Sequence, residues 1–413
     1  MVSNPLASIG DYLQGAGAIP LPPSDLPEEG APDLPTAMSS SPAHEIARLE
    51  LPPFPSEPAL FRFFVDGVQR TVATAEVVVN NVRVPLHLAH LIAGAMERVD
   101  KELRPSIMRE ALVLIFPYQA LQAVAPAWSS QTPPGRELGS AGQIYSIIQS
   151  GGPLYSDSSV SLELSQDGRS RRLLEAGHLI RTGDVRQKAL NRSKELLRIM
   201  EVGVVWDIRQ RCPSEWILLD GPVAPPLKYG RLVDVNLQGL QDIARPDVAF
   251  NFLSRVVGAV KRVQIIPEAG LEAALNSGPN LTIPIYHFAD VITEDDEVAK
   301  EILSAFIWLR RELAGEISSI WSPVSGLTRF DIPIPAVLDE SFKDSWNTLD
   351  ENMLTNAAVS QRLERILKAI ILERWPVPSS SSARMLTEVL PIAETELWLS
   401  SQLRSVYEMR QPR

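Results

Sequence analysis

Two apolar runs that each end on Asp-Gly constrain this chain most. Trp216-Ile217-Leu218-Leu219-Asp220-Gly221 and Phe61-Arg62-Phe63-Phe64-Val65-Asp66-Gly67 both read as buried strands that end by carrying one carboxylate out of the core. A buried carboxylate without a partner is unfavourable, so a strand that ends on one implies a charged neighbour or a cation. If the two strands lie side by side, Asp66 and Asp220 converge at one edge of a sheet. Like charges at close range raise each other's pKa, and a divalent metal relieves them. Asp-Gly is also a common turn dipeptide, so either run alone is better read as a strand that simply stops, and only the pair with a third acid points to a site.

The rest of the chain supplies a third acid. Arg186–Val205 reads as a helix in which Leu190, Leu197, Glu201 and Val204 follow one another at spacings of seven, four and three, hence on one face. Glu201 therefore sits in an apolar stripe. Hard cations such as Mg²⁺ and Mn²⁺ take carboxylate oxygens, and phosphoryl-transfer sites collect acids from separate elements so that the ions keep positions open for water and substrate.

Around these residues the pattern alternates. Leu60–Asp66, Val68–Val79 and Val82–Pro85, with a turn at Asn80-Asn81, read as an antiparallel meander. Helices are predicted at Leu86–Val99, at Ile107–Val124 and near Asp247–Ser254, and strands at Val256–Val263 and Ile283–Phe288. A helix at Glu297–Ala314, a strand at Leu327–Ile332 and closing helices near Asn356–Glu373 and Ala383–Tyr407 follow. The fold class expected is α/β: a mixed sheet with an N-terminal antiparallel meander and helices on both faces. Residues 101–175, with a hairpin at Val160–Leu164 and Arg171–Leu174, read as an inserted helical and hairpin subdomain. Residues 1–58 are dense in proline and read as a flexible tail, within which Leu6, Ile9, Tyr12 and Leu13 could form a short helix that docks on a partner.

Composition excludes some classes. A single cysteine, Cys212, rules out an intramolecular disulfide and a thiolate zinc site. No secretory leader and no membrane-length apolar run is evident, so a cytoplasmic protein with no membrane partner is expected. The net charge of −11 argues against a generally basic nucleic-acid binder, while leaving room for a local groove. His87 and His90, three apart on the expected helix, could share a metal, but structural histidines are the simpler reading. Trp206, Trp216, Trp308, Trp321 and Trp398 read as core, and Arg169–Arg172 and Trp308-Leu309-Arg310-Arg311 as solvated faces rather than phosphate contacts.

In order and spacing, these motifs resemble the NurA family of DNA-end-processing nucleases, which has an RNase H-like core. The resemblance rests on a meander ending in Asp-Gly, a helix Glu and a second strand ending in Asp-Gly, with Glu201 nineteen residues before Asp220. Val257-Gly258-Ala259-Val260-Lys261-Arg262 is similar to the family's strand ending in Lys, and Arg329-Phe330-Asp331-Ile332-Pro333 to its late Arg-x-acid-x-Pro segment. It covers about residues 60–410. The resemblance implies that Asp66, Glu201 and Asp220 ligate two Mn²⁺ or Mg²⁺ ions, and that Lys261 contacts a phosphate or the attacking water. Lys261, Arg262 and Arg329 would line the DNA path, with Arg329 and Asp331 shaping the cleft or a dimer contact. It also implies a homodimer that hydrolyses DNA phosphodiesters in end resection, repair or defence beside a HerA-type hexameric ATPase. The chain departs from the pattern. Val68 and Pro222 stand where the family has Ser after Asp-Gly, and no histidine follows His287, so either Glu388 or Glu394 stands in for a late His or the site lacks that ligand. Those departures fit the alternative of a catalytically degenerate adaptor dimer.

Overall fold

Three consecutive runs of apolar and β-branched residues build the first part of the sheet, and each is too long for an ordinary strand. In the computed structural model, β1 (Ile19–Pro20), β2 (Ala37–Ser39) and β3 (His44–Ile46) precede a meander of β4 (Phe61–Val79), β5 (Val82–Val99) and β6 (Glu102–Phe116). Then come β7 (Arg136–Glu137), β8 (Leu154–Asp157), β9 (Trp216–Asp220), β10 (Val256–Val260), β11 (Ile265–Pro267), β12 (Tyr286–Asp290), β13 (Ile302–Trp308) and β14 (Leu327–Pro333). The structure describes residues 5–20, 37–39, 44–46, 59–125, 128, 131–133, 136–137, 153–159, 182–223, 246–261, 263, 265–267, 286–290, 302–310, 313, 326–346, 357–374 and 386–410.

Among the described residues one sheet runs in the order β3-β12-β13-β14-β10-β9-β4-β5-β6-β8-β7, with β1 added beside β4 and β11 paired separately with β2. At its centre β4, β5 and β6 are antiparallel. β9 is parallel to β4, and β10 is parallel to β9. Three antiparallel strands followed by two parallel to the first, with the helix Thr182–Arg211 before β9 and Pro246–Leu253 before β10, give the expected α/β, RNase H-like mixed sheet. Parallel neighbours need such crossovers, which put helices on the sheet faces.

The meander turns as its sequence predicts. Asn80 and Asn81 take φ of 49° and 64°, the left-handed pair that a two-residue hairpin demands and that Asn tolerates. The expected helix at Leu86–Val99 is instead most of β5, and Ile107–Val124 divides into the end of β6 and a short helix, Tyr118–Val124. Leu86 to Met96 is buried throughout, because β5 is covered on both faces. A run buried all round has no period, and its length then mimics a helix. For the same reason Ile302–Trp308, buried at every position, is β13 rather than the helix expected at Glu297–Ala314. The last expected helix is two, Leu390–Ser401 and Val406–Arg410. The hairpin expected within 160–174 lies outside the described residues.

The core strands carry the packing. Ile217, Leu218 and Leu219 are each fully buried; removal from water favours folding by roughly 1.5–3 kcal/mol per such side chain. The two faces of the sheet are covered by different helices. A Cβ built on Gly67 would strike Leu197 of Thr182–Arg211, whereas one on Gly94 would strike Leu399 and Trp398 of Leu390–Ser401. At the N-terminus, Pro5–Gly15 is a helix whose Leu6, Ile9, Tyr12 and Leu13 bury against the chain's own residues, with Tyr12 edge-on to Trp128 at 5.8 Å. The four positions expected to dock on a partner thus dock in cis. Among the described residues no helix is long and apolar enough to cross a membrane.

Candidate metal centre

The register of three parallel strands sets the site. Val65 pairs with Leu219, so the next residues, Asp66 and Asp220, stand side by side. β9 ends at Asp220, but β4 runs on through Asp66 and Gly67 to Val79, so the first Asp-Gly does not end its strand as expected. On the other flank Asp220 pairs with Ala259, and Lys261 lies two residues further, on the same face. Lys261 Nζ is 3.2 Å from Asp220 Oδ1, 3.5 Å from Glu388 Oε1 and 4.0 Å from Glu396 Oε2. The structure therefore brings together Asp66 and Asp220 of the expected three carboxylates, with Lys261 beside Asp220. Of the two acids weighed for the late position, Glu388 reaches the site; Glu394 is exposed, and Glu396 on the same helix takes the place beside Lys261.

Glu201 comes from the opposite face. Successive strand residues point to opposite sides, and Gly94, the cross-strand partner of Asp66, faces Leu390–Ser401. Gly67 faces the long helix, and a Cβ there would land on Glu201 Oε1 and Leu197. The glycine of the first Asp-Gly is thus required by the approach of Glu201. Glu201 is 1% exposed and is held by Arg198, whose Nη1 donates to Glu201 Oε2 at 2.6 Å and to the Asp220 carbonyl at 2.9 Å. Arg198 was not expected at the site. Its spacing of three from Glu201 on one helix was the available signal.

The electrostatics favour a cation. Burial first, then the charge of Asp220, holds the Asp66 carboxyl well above the usual aspartate range, against the pull of Lys261. Burial likewise raises Glu201, offset by Arg198. Burial alone would lower Lys261, but Asp220, Asp66, Glu388 and Glu396 outweigh it and keep the amine protonated above its ordinary value. Asp66 Oδ1 accepts the Gly67 N–H at 2.6 Å, while Oδ2 is buried with no hydrogen-bond partner among the described residues. Among the described residues, four carboxylates thus surround one lysine on this face.

The second Asp-Gly serves a different purpose. Gly221 has φ +100° and donates its N–H to the Ala259 carbonyl at 2.7 Å, and a Cβ there would meet the Arg198 guanidinium. Asp331, fully buried, anchors the turn that follows: it accepts the Val223 N–H at 3.3 Å and the Ser304 hydroxyl at 3.2 Å. Arg329 Nε lies 2.9 Å from Asp331 Oδ1, so its guanidinium is committed to that carboxylate. The Arg-x-acid segment therefore buttresses the turn beside Asp220. Arg262 lies outside the described residues.

Donor chemistry fits a hard divalent ion, because Asp66 Oδ2 lacks a partner and the acids outnumber Lys261. As the side chains stand, no three His, Cys, Asp or Glu among the described residues are arranged to hold one. Lys261 and Arg198 occupy the carboxylates instead.

The other expected features resolve as structural. On a strand, residues three apart face opposite sides, so His87 and His90 cannot share an ion. His90 Nε2 lies 2.9 Å from Glu110 Oε1, and its Nδ1 accepts the Arg404 N–H at 3.0 Å. His87 has no partner on either ring nitrogen; burial, then Arg186, lowers its pKa to about 4. Trp308 is core, and Trp206 and Trp216 pack partly buried against it, whereas Trp321 and Arg169–Arg172 lie outside the described residues. Arg310, expected on a solvated face, is fully buried and donates to the carbonyls of Arg374 and Glu388.

No protein-family model and no curated protein matches this sequence. Among solved structures, the crystal structure of the NurA nuclease from Sulfolobus solfataricus is similar over 83% of this chain and 80% of that chain, at 9% identity and a TM-score of 0.33. A superposition that loose carries no weight for activity.

Proposed function

We propose that the chain is a divalent-metal-dependent deoxyribonuclease that hydrolyses DNA phosphodiesters at Asp66 and Asp220, on the central strands of the sheet. The observation that carries this reading is the convergence of those two aspartates on adjacent parallel strands, with Asp66 Oδ2 buried and unpartnered. Asp66 and Asp220, with Glu201 from the opposite face, would hold one or two Mn²⁺ or Mg²⁺ ions. When bound, such ions lower the pKa of water and neutralise charge on a phosphoryl oxygen.

The chain's own residues prepare that chemistry. Lys261 keeps its proton beside Asp220 and so offers a fixed positive charge to a phosphate rather than a base. Arg198 orients the Glu201 carboxylate and pins the Asp220 carbonyl. Asp331 and Arg329 hold the Gly221–Val223 turn, which keeps Asp220 at the strand end. Homodimerisation and a HerA-type hexameric ATPase partner belong to the same proposal and rest on the sequence motifs alone.

The ion pairs made by Lys261 and Arg198 favour a second reading, a degenerate adaptor in which these cations permanently neutralise the acids. Digestion of plasmid and linear DNA in Mn²⁺ or Mg²⁺, with wild type and Asp220→Ala, with and without a HerA-type ATPase, separates the two. Metal-dependent cleavage that falls to background in the variant supports the nuclease. A wild type that never cleaves, yet dimerises and binds the ATPase, supports the adaptor. Cleavage that survives Asp220→Ala refutes the assignment of the acids.

A further inference from the structure

The opposite end of β9 opens on a cleft of about 1020 Å³ whose lining includes Arg209, Arg255, Arg362, Arg365, Trp206 and Trp216. Asp339 and Glu340 also line it, and Asp339 is paired with Arg362 at 2.6 Å. Arg209, Arg255 and Arg365 have no carboxylate within ion-pair distance among the described residues, so the cleft carries a surplus of positive charge in a chain of net charge −11.

Arg209 is the informative member. It is 5% exposed, and three backbone carbonyls hold it: Phe252 accepts from Nε at 3.2 Å, and Glu215 and Pro213 accept from Nη1 at 2.6 and 3.4 Å. Its Nη2 is buried with no hydrogen-bond partner among the described residues. A buried charge is ordinarily paired. Here Glu215, the acid that acts on it electrostatically, is engaged by Arg62 at 3.0 Å, and the neighbouring charge is another arginine, Arg255. Burial, then Arg255, lowers Arg209 to about 9, while Glu215 opposes the shift weakly. Arg255 spends one contact on the Pro213 carbonyl at 3.3 Å, and Arg365 is exposed.

We propose that this cleft binds the phosphate group of a phosphorylated small molecule, with Arg209, Arg255 and Arg365 as its anion-binding residues. Guanidinium groups match phosphate oxygens in geometry and charge. The partly buried Trp206 and Trp216 supply flat apolar walls, which suits a planar group attached to the phosphate, as in a nucleotide. The site stands apart from the carboxylates: β9 carries Trp216 at one end and Asp220 at the other, a separation of about 13 Å at the usual strand rise.

Calorimetric titration of the full chain with AMP, inorganic phosphate and adenosine tests the assignment. AMP is expected to bind saturably, inorganic phosphate to compete with it, and adenosine to give no saturable heat. Arg255→Ala and Arg365→Ala, both outside the core, are each expected to weaken AMP about tenfold or more, as loss of a charge-assisted contact does. Arg209→Lys keeps the charge but gives up guanidinium contacts to the Phe252, Pro213 and Glu215 carbonyls, so it is expected both to weaken AMP and to lower the melting temperature. Equal affinity for phosphate and AMP would mean that the arginines alone read the ligand; tighter AMP binding would mean that the tryptophans add to it. No saturable binding of either anion by wild type overturns the proposal. So does unchanged binding in Arg255→Ala and Arg365→Ala, or adenosine binding as tightly as AMP.

Discussion

The two ends of β9 are electrostatic opposites. At Asp220 carboxylates outnumber cations and Lys261 holds them together; at Trp216 arginines outnumber acids and Arg209 relies on backbone carbonyls. The strand between them is apolar and fully buried, so neither end can neutralise the other. A short apolar strand thus separates two unbalanced charges, and each imbalance has its own remedy: a metal ion at one end, an anion at the other. The difference teaches that the chain's net charge says little about what either end can bind.

Removing Lys261, the cation beside Asp220, tests this most severely. Lys261→Met leaves buried carboxylates facing one another and is expected to destabilise the metal-free protein by about 3 kcal/mol, as breaking a buried pair does. Chemical denaturation at neutral pH measures it, and Mn²⁺ is expected to restore part of the loss.

Next in size is Gly258→Ala, which attacks the geometry rather than the charge. A Cβ there would meet the Gly221 carbonyl at 2.5 Å and Val223 at 2.8 Å, so the turn after Asp220 must shift. A loss of about 2 kcal/mol is expected, within the range for overpacking, and wild-type thermal stability would contradict it.

Asp66→Asn reverses the sign. The Asp66 pKa is raised in the folded protein, so on acidification the folded state takes up this proton before the unfolded chain does. The stability it contributes is present at low pH and lost as pH rises through the folded value. The neutral amide is therefore expected to stabilise the metal-free protein at pH 7 by about 1 kcal/mol, with the gain vanishing below the ordinary aspartate range near pH 4. Melting temperatures across that interval check it.

The smallest effect belongs to the basic end. Arg255→Ala relieves the repulsion on Arg209 and is expected to change stability by no more than about 0.5 kcal/mol, as at other surface positions. A large loss would show that Arg255 is structural and that the arginine surplus is tolerated for packing.

How much of this was legible depended on whether burial was one-sided. The long helix was readable because its stripe has a period, and β9 because apolar residues stop at Asp-Gly. Leu86–Val99 and Ile302–Trp308 were misread because both faces are covered and no period survives. Asp66 and Asp220 were legible as carboxylates closing two apolar runs, and Lys261 only through the family resemblance; the register that brings them together is set by folding. That Glu201 approaches from the other face was not legible, because it depends on the pleat at Gly67. The arginine cleft left no sequence signal: its walls come from residues 206–216, 248–255, 336–340 and 362–366, gathered only by folding.

Direct titration of Mn²⁺ into the full chain, beside Asp66→Asn and Asp220→Asn, tests the central claim that the acidic end is built for a cation. Saturable binding by wild type and its loss in both variants is the predicted result. A wild type that binds no Mn²⁺, or variants that bind it as wild type does, would contradict the account.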